Sequence, residues 1–286
     1  MSLPVISASV FDAASDKNLV INAPLLSEWL TAFLHDEIVR RRGFERVVVG
    51  ISGGVDSSLT AYLCAAALGP QNVFGVRMPY RTSSPESLEH GQLVADALGI
   101  DCRTIEITDA VDGYLKSEPN ANGRRRGNVM ARVRMTILFD QSEKLQALPV
   151  GTGNKTERLF GYYTWHADDS PPVNPLGDMF KTQVWALSRY LGVPDVIVNK
   201  PASADLIVGQ TDEGDFGISY PRADRILYYL LRGYYADRLV DMGFPEAEVK
   251  LVKGKVDSTH WKRHMPTAAM LSGTSINDYY LRPVDY

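Results

Sequence analysis

The sequence predicts an α/β fold, a doubly wound and mostly parallel sheet flanked by helices. Three observations carry this. Short β-branched strings recur along the chain, stretches of helical period separate them, and a Gly/Ser-rich turn follows the first string and opens a helix.

Taken in order, residues 24–42 (PLLSEWLTAFLHDEIVRRR) carry apolar positions at helical spacing and stop near Gly43. Residues 46–51 (RVVVGI) form a continuous β-branched run, the pattern of a strand buried on both faces. A helix follows over 55–68, a strand over 72–78 (NVFGVRM), a helix over 86–98 and a strand over 102–107 (CRTIEI). Residues 109–117 read as a helix, 119–127 (PNANGRRRG) as a polar loop, 128–145 as a helix and 148–152 (LPVGT) as a short fourth strand. Strands alternating with helices imply parallel pairing through right-handed crossovers. Beyond Gly161 helices and loops dominate, with 181–191 and 222–242 the clearest helices. No repeat, low-complexity tract or linker interrupts the chain, so a single domain over 1–286 is expected.

Composition narrows the function classes. With 286 residues, 45% of them hydrophobic, the chain has enough apolar material for one large core. A net charge of -4 argues against a nucleic-acid carrier, although a local basic patch remains compatible with it. No apolar run reaches the roughly 18 residues that span a bilayer. The opening MSLPVISASVFDAASDKN has no basic stretch followed by an apolar block. A soluble cytoplasmic protein, with no membrane or nucleic-acid partner, is the expectation. Cys64 and Cys102 form no CxxC pair, and both read as buried core residues rather than nucleophiles or zinc ligands.

The strongest chemical signal is Gly50-Ile51-Ser52-Gly53-Gly54-Val55-Asp56-Ser57-Ser58. Glycines let the backbone turn tightly and approach a ligand, and the N–H groups at the start of the helix form an anion site. Ser52, Ser57 and Ser58 add hydroxyl donors. Asp56 among phosphate donors would repel an anion unless a cation such as Mg²⁺ sits beside it. A two-glycine turn alone is equally consistent with a capping turn that binds nothing, but here strand, string and helix agree. The loop lacks a Walker-type Lys, so the γ-phosphate is not the expected reacting group.

This loop resembles that of the N-type ATP pyrophosphatases, which cleave ATP between the α- and β-phosphates. The resemblance implies an adenine nucleotide alpha hydrolase-like fold and leaves the acceptor open. Further stretches narrow it. Gly151-Thr152-Gly153-Asn154-Lys155-Thr156-Glu157, Gly161-Tyr162-Tyr163-Thr164, Lys181-Thr182-Gln183-Val184, Pro201-Ala202-Ser203-Ala204-Asp205-Leu206 and Gly209-Gln210-Thr211-Asp212-Glu213 look like NAD synthetase signatures. So does Gly127-Asn128-Val129-Met130-Ala131-Arg132-Val133-Arg134-Met135. The resemblance runs in order from about residue 25 to 266. It implies an ammonia-dependent, AMP-forming carbon–nitrogen ligase with ATP, deamido-NAD and ammonia as substrates, Mg²⁺ as cofactor, and a homodimer.

By the resemblance Asp56 and Glu157 hold the metal and act in catalysis with Lys181, and Arg77, Thr152, Lys181 and Ser203 join the loop at ATP. Read alone, Glu157 is a capping carboxylate in a first helical turn, Lys181 an exposed helix-start lysine, and Arg77 a strand-end residue. Arg132 matches the family's dinucleotide arginine. Arg134, two positions on, points elsewhere on a helix, so one of the two is expected to be structural. The run Arg124-Arg125-Arg126 reads as a solvated loop. Trp165 stands where a substrate-binding Lys often sits, Pro172 replaces an Asp, and Trp261-Lys262-Arg263 matches the relatives' HKR. Trp165 and Trp261 are expected either to stack on a substrate ring or to pack in the core, and the departures leave open an acceptor other than deamido-NAD. Asp168 and Asp169 either meet a ribose or ammonium, or form a polar loop tip. No Ser–His–Asp set and no room for a glutaminase domain are apparent, so free ammonia is the expected donor.

Overall fold

A computed structural model of the chain describes residues 15–203, 211–264 and 266–271. The N-terminal residues 1–14 and the motif positions Ala204, Asp205, Leu206, Gly209 and Gln210 lie outside the described residues.

Four strands form the sheet: β1 (Val47–Gly50), β2 (Val73–Arg77), β3 (Asp101–Thr104) and β4 (Leu148–Val150). All pairs are parallel and the order is β3-β2-β1-β4, with Val47 opposite both Val73 and Leu148. The helices are α1 (Ala23–His35), α2 (Val55–Leu68), α3 (Pro85–Leu98), α4 (Thr108–Leu115), α5 (Gly123–Leu145), α6 (Lys155–Phe160), α7 (Lys181–Leu191), α8 (Asp195–Val198), α9 (Asp212–Phe216), α10 (Tyr220–Leu230), α11 (Ala236–Asp241) and α12 (Glu246–Thr259). α1 runs on into a π-helical turn over Asp36–Arg40.

The period of two in β1 explains why both sheet faces are covered. Val47 and Val49 pack with Leu34 of α1, Leu59 and Leu63 of α2, and Val184 and Leu187 of α7. Val48, with Val76 of β2, faces Leu138 of α5 on the other side. A second apolar cluster joins Phe160, Phe216, Tyr220, Ile226 and Val249, so α6, α9, α10 and α12 stack beside the sheet layer. Among the described residues, no helix is long and apolar enough to cross a membrane.

Three expectations need correction. Residues 119–127 are not one loop: α5 starts at Gly123, because Asn122 caps it by accepting from the Arg125 N–H at 2.9 Å. Arg125 is also paired with Glu118 at 2.6 Å, so the arginine run forms the first turn of a helix. Residues 222–242 are two helices, α10 and α11, separated by a turn in which Gly233 takes φ 84°. Cys64 is fully buried, as expected, but Cys102 is only partly buried and lies against Arg77.

Candidate active site

Sheet order decides where a ligand can collect. From β1 the chain winds outward to β2 and β3, whereas β4 lies on the other side of β1. The crevice at such a switch point, beyond the carboxyl ends of β1 and β4, is the usual ligand site of an open α/β sheet. Residues 51–54 and 151–154 leave the two strands there.

The first turn is braced from within. Gly53 has φ +77°, and a Cβ on it would lie 2.1 Å from the Ser87 carbonyl oxygen, so this turn packs directly on the start of α3. Ser57 Oγ donates to the Gly54 carbonyl at 3.1 Å and accepts from the Ser52 N–H at 3.2 Å. Ser58 Oγ donates to the same carbonyl at 2.8 Å and is wholly buried, so it braces the turn and offers no donor to a ligand.

Asp56 lies in the first turn of α2 and Lys181 opens α7. The Lys181 ammonium donates to Asp56 Oδ2 and lies 3.5 Å from Glu157 Oε1. Its side chain is only 2% exposed, so the reading of an exposed helix-start lysine does not hold. Glu157 is the capping carboxylate that its position suggests. Its backbone N–H donates to Asn154 Oδ1 at 3.0 Å and its carboxylate accepts from the Asn154 N–H at 3.3 Å, a capping box at the start of α6. The same carboxylate faces Lys181.

The electrostatics follow from burial. Desolvation, and then the neighbouring Asp56 charge, push the Glu157 carboxyl well above the usual carboxylate range, against the lowering pull of Lys181. Burial alone would lower the Lys181 pKa, but Asp56 and Glu157 outweigh it and hold the ammonium above its usual range. Asp212 adds a further acidic group: it is 4% exposed and accepts from the Tyr220 hydroxyl at 2.8 Å.

A cleft of about 520 Å³ opens over this cluster, a size that suits a nucleotide. Gly50, Ile51, Ser52, Gly54, Val55, Asp56 and Ser57 line it from the β1–α2 turn. Arg77, Thr152, Glu157, Lys181 and Ser203 line it from other elements, so the expected ATP-side residues converge, with Gly53 supporting the turn from behind. Arg77 Nη1 donates to the Leu88 carbonyl at 3.3 Å, while its buried Nε has no hydrogen-bond partner among the described residues.

The dinucleotide-side residues separate. Asp168 lines the cleft and accepts from the Thr164 N–H at 2.7 Å. Arg132, Trp165, Trp261 and Lys262 do not line it. Arg132 is exposed on α5 and donates to the Trp165 carbonyl at 3.1 Å. Arg134 is the arginine that reaches the cleft, where its Nε donates to the Met78 carbonyl at 3.0 Å. The Trp165 and Trp261 rings meet edge to face at 5.2 Å, and Trp261 is half-exposed, so this pair belongs to neither the core nor the cleft. Lys262 donates to the carbonyls of Gly161 and Tyr163 at 2.7 and 2.6 Å, which pins the 161–163 turn.

Three residues of the cluster are assigned no site role by the sequence, although Asn154 and Asp212 stand within the quoted motifs. Asn154 was readable in principle, since Asn three positions before Glu is a capping-box signal. Asp212 and Asp224 were not, because no local pattern ties either to Lys181. Asp224 is fully buried and accepts from Thr156 and Thr182 at the starts of α6 and α7.

The comparisons agree with this geometry. The profile of the NAD synthase family matches residues 26–266. An NH3-dependent NAD+ synthetase of Trichlorobacter lovleyi is 47% identical over 261 residues, covering 91% of this chain and 95% of the relative. One of Fusobacterium nucleatum is 44% identical, covering 88% and 98%. Among solved structures, an NMN synthetase from Francisella tularensis superposes with a TM-score of 0.78 at 26% identity, covering 87% of this chain and 99% of that one. An NH3-dependent NAD synthetase from Campylobacter jejuni, in complex with a nitrate ion, gives 0.75 at 28% identity, covering 87% and 100%. A glycine turn, a buried lysine and a capped glutamate gathered at one switch point, within a chain matched over nearly its whole length, make this protein a member of the NAD synthase family.

Proposed function

We propose that the protein is an ammonia-dependent NAD synthetase acting as a single catalytic unit. The carboxylate of deamido-NAD attacks the α-phosphorus of ATP and pyrophosphate leaves. Ammonia then attacks the carbonyl carbon of the acyl adenylate, loses a proton, and AMP departs to leave NAD. The observation that carries this reading is the buried Lys181 ammonium between Asp56 and Glu157, beside the glycine turn.

Each residue has a job that its surroundings support. The N–H groups of the first turn of α2 donate to phosphate oxygens, while those of Ile51, Ser52 and Gly54 are spent on bracing the turn. Lys181 neutralises charge that builds on the departing pyrophosphate. Arg77, Thr152 and Ser203 border the remainder of ATP. The chain supplies position and charge rather than a nucleophile.

The acidic pair suits Mg²⁺. Two carboxylates face one lysine, and burial already disfavours the Glu157 charge, so a hard divalent cation complements them. Magnesium is commonly held by one or two carboxylates together with substrate phosphates, and Asp56 and Glu157 offer such a pair. Bound there by Asp56 and Glu157, Mg²⁺ would neutralise the polyphosphate.

Asp168 borders the acceptor end of the cleft. Arg132, Trp165 and Trp261 form a neighbouring outer surface, and Lys262 shapes the turn between. Their place outside the cleft of one chain is what a dinucleotide site completed at a homodimer interface would require.

The test is direct. Purified protein with ATP, Mg²⁺, deamido-NAD and ammonium is expected to form NAD, AMP and pyrophosphate. ADP and phosphate as products would overturn the loop assignment. Turnover with nicotinate mononucleotide but not with deamido-NAD would move the acceptor.

A further inference from the structure

We infer that Asp224 is a positioning residue that holds Glu157 and Lys181 in register against Asp56 and so sets the rate of adenylation. The inference rests on the reading of Asp56, Glu157 and Lys181 as the ATP-side machinery.

Asp224 touches none of these three groups through its own hydrogen bonds. It sits on α10, behind the first turns of α6 and α7, and is wholly buried. Its Oδ1 accepts from the Thr156 hydroxyl at 2.6 Å. Its Oδ2 accepts from the Thr182 backbone N–H at 3.0 Å and from the Thr182 hydroxyl at 2.9 Å. Thr156 Oγ1 in turn accepts from the Lys181 backbone N–H at 3.1 Å. One carboxylate thus ties the start of α6, one residue before Glu157, to the start of α7, where Lys181 sits.

The chemistry requires a carboxylate. Hydroxyl and N–H donors converge on it from both helices, and an ionised carboxylate only accepts. An amide would turn its NH₂ towards one of these donors. The negative charge also lies at the N-terminus of α7, where the helix dipole favours it. A buried charge is a poor device for stability, since apolar replacements of buried ionic groups are often neutral or better. Burial lifts the Asp224 carboxyl to about 6 despite its hydrogen bonds. Its presence is therefore explained by what it orients.

The experiment compares Asp224→Asn, Thr156→Val and Thr156→Ser in the full chain. The readouts are deamido-NAD-dependent ATP–pyrophosphate exchange, KM for deamido-NAD, the Mg²⁺ concentration at half-maximal rate, and Tm. Asp224→Asn, assayed well below its Tm, is expected to lose about 10–100-fold in exchange rate, as groups that orient metal ligands do. The KM for deamido-NAD should stay within about twofold, and the Mg²⁺ requirement should rise. Thr156→Val should reproduce the loss, Thr156→Ser should restore the rate, and the Asp224→Asn/Thr156→Val double variant should be no slower than Asp224→Asn. Wild-type exchange rate in Asp224→Asn, or a loss confined to KM for deamido-NAD, would overturn the inference. Should Asp224→Asn not fold, equal rates in Thr156→Val and Thr156→Ser would overturn it. Wild-type protein that exchanges nothing would overturn the functional reading and this inference together; wild-type exchange beside an unaffected Asp224→Asn overturns the inference alone.

Discussion

The side-chain amide of Asn154 donates to Asp56 Oδ1 at 2.9 Å and so links the turn after β4 to the first turn of α2. The same residue closes the capping box on Glu157. One residue therefore orients both carboxylates, Asp56 through its side-chain amide and Glu157 through its backbone N–H, and the two strand ends of the switch point are fixed to each other through it. Its side chain has no exposed surface, so water cannot replace it.

Asn154→Ala removes a helix cap and a hydrogen bond to a carboxylate together. Loss of the cap costs about 1–2 kcal/mol, and Asp56 loses its orientation. Chemical denaturation should show that loss. Steady-state assays should show about 10–100-fold lower kcat and a raised Mg²⁺ requirement. Wild-type kinetics in a destabilised Asn154→Ala protein would remove Asn154 from the site.

Lys181→Met leaves two carboxylates facing each other without their cation. Breaking a buried pair from one side costs about 3–5 kcal/mol. Adenylation should become undetectable in an exchange assay, and Mg²⁺ should raise Tm more in the variant than in the wild type, because the cation takes over the neutralisation. Equal Mg²⁺ shifts in both proteins would show that the ion binds elsewhere.

Gly53→Ala places a methyl against backbone. The position has φ +77°, and the new Cβ meets the Ser87 carbonyl at 2.1 Å, which no rotamer relieves. Strain of about 1–3 kcal/mol must be relieved by moving the turn or α3. Calorimetric titration with a non-hydrolysable ATP analogue should show about tenfold or weaker binding. Unchanged affinity would mean that the turn does not grip nucleotide.

What the sequence revealed, and what it hid, divides by the range of the interactions. The strands and the glycine turn were legible because their own residues dictate them: β-branched strings, then Gly53 at a positive φ. Lys181 was legible only through the family resemblance. Its burial comes from α2, α6 and α10, which are remote in sequence. Asp224 was invisible because its Thr182 partner lies 42 residues away. Helical period also runs on through 231–235, so only Gly233 marked the break between α10 and α11. At 119–127 glycine and charge suggested a loop, and the Asn122 cap with the Glu118–Arg125 pair decided for a helix.

Asp224 gives a signed pH dependence of stability. Burial lifts its carboxyl from 3.8 to about 6 in the folded protein. A raised pKa means that the folded state binds the proton more tightly than the unfolded chain. The associated stability, about 3 kcal/mol, is fully present below about pH 4 and is lost as pH rises through about 6. Asp224→Asn cannot titrate. Its unfolding free energy relative to wild type should therefore improve as pH climbs from 4.5 to 7, while all other groups cancel in the comparison. A difference that stays flat across this window would show that Asp224 keeps an ordinary pKa.

Trp165→Ala separates the two halves of the site. Trp165 packs edge to face on Trp261 at 5.2 Å, and its carbonyl receives Arg132, yet neither ring lines the cleft. Removing the ring frees Trp261 and loosens the loop that Arg132 braces, without touching the glycine turn or Lys181. An aromatic pair contributes about 0.5–1.5 kcal/mol beyond its buried area, which corresponds to about 2–13-fold in affinity. The KM for deamido-NAD should rise by about that factor, while the KM for ATP stays within about twofold. If the pair acts across a homodimer interface, the variant should also dissociate at higher protein concentration in sedimentation experiments. A larger rise for ATP than for deamido-NAD would place Trp165 on the nucleotide side and contradict this division.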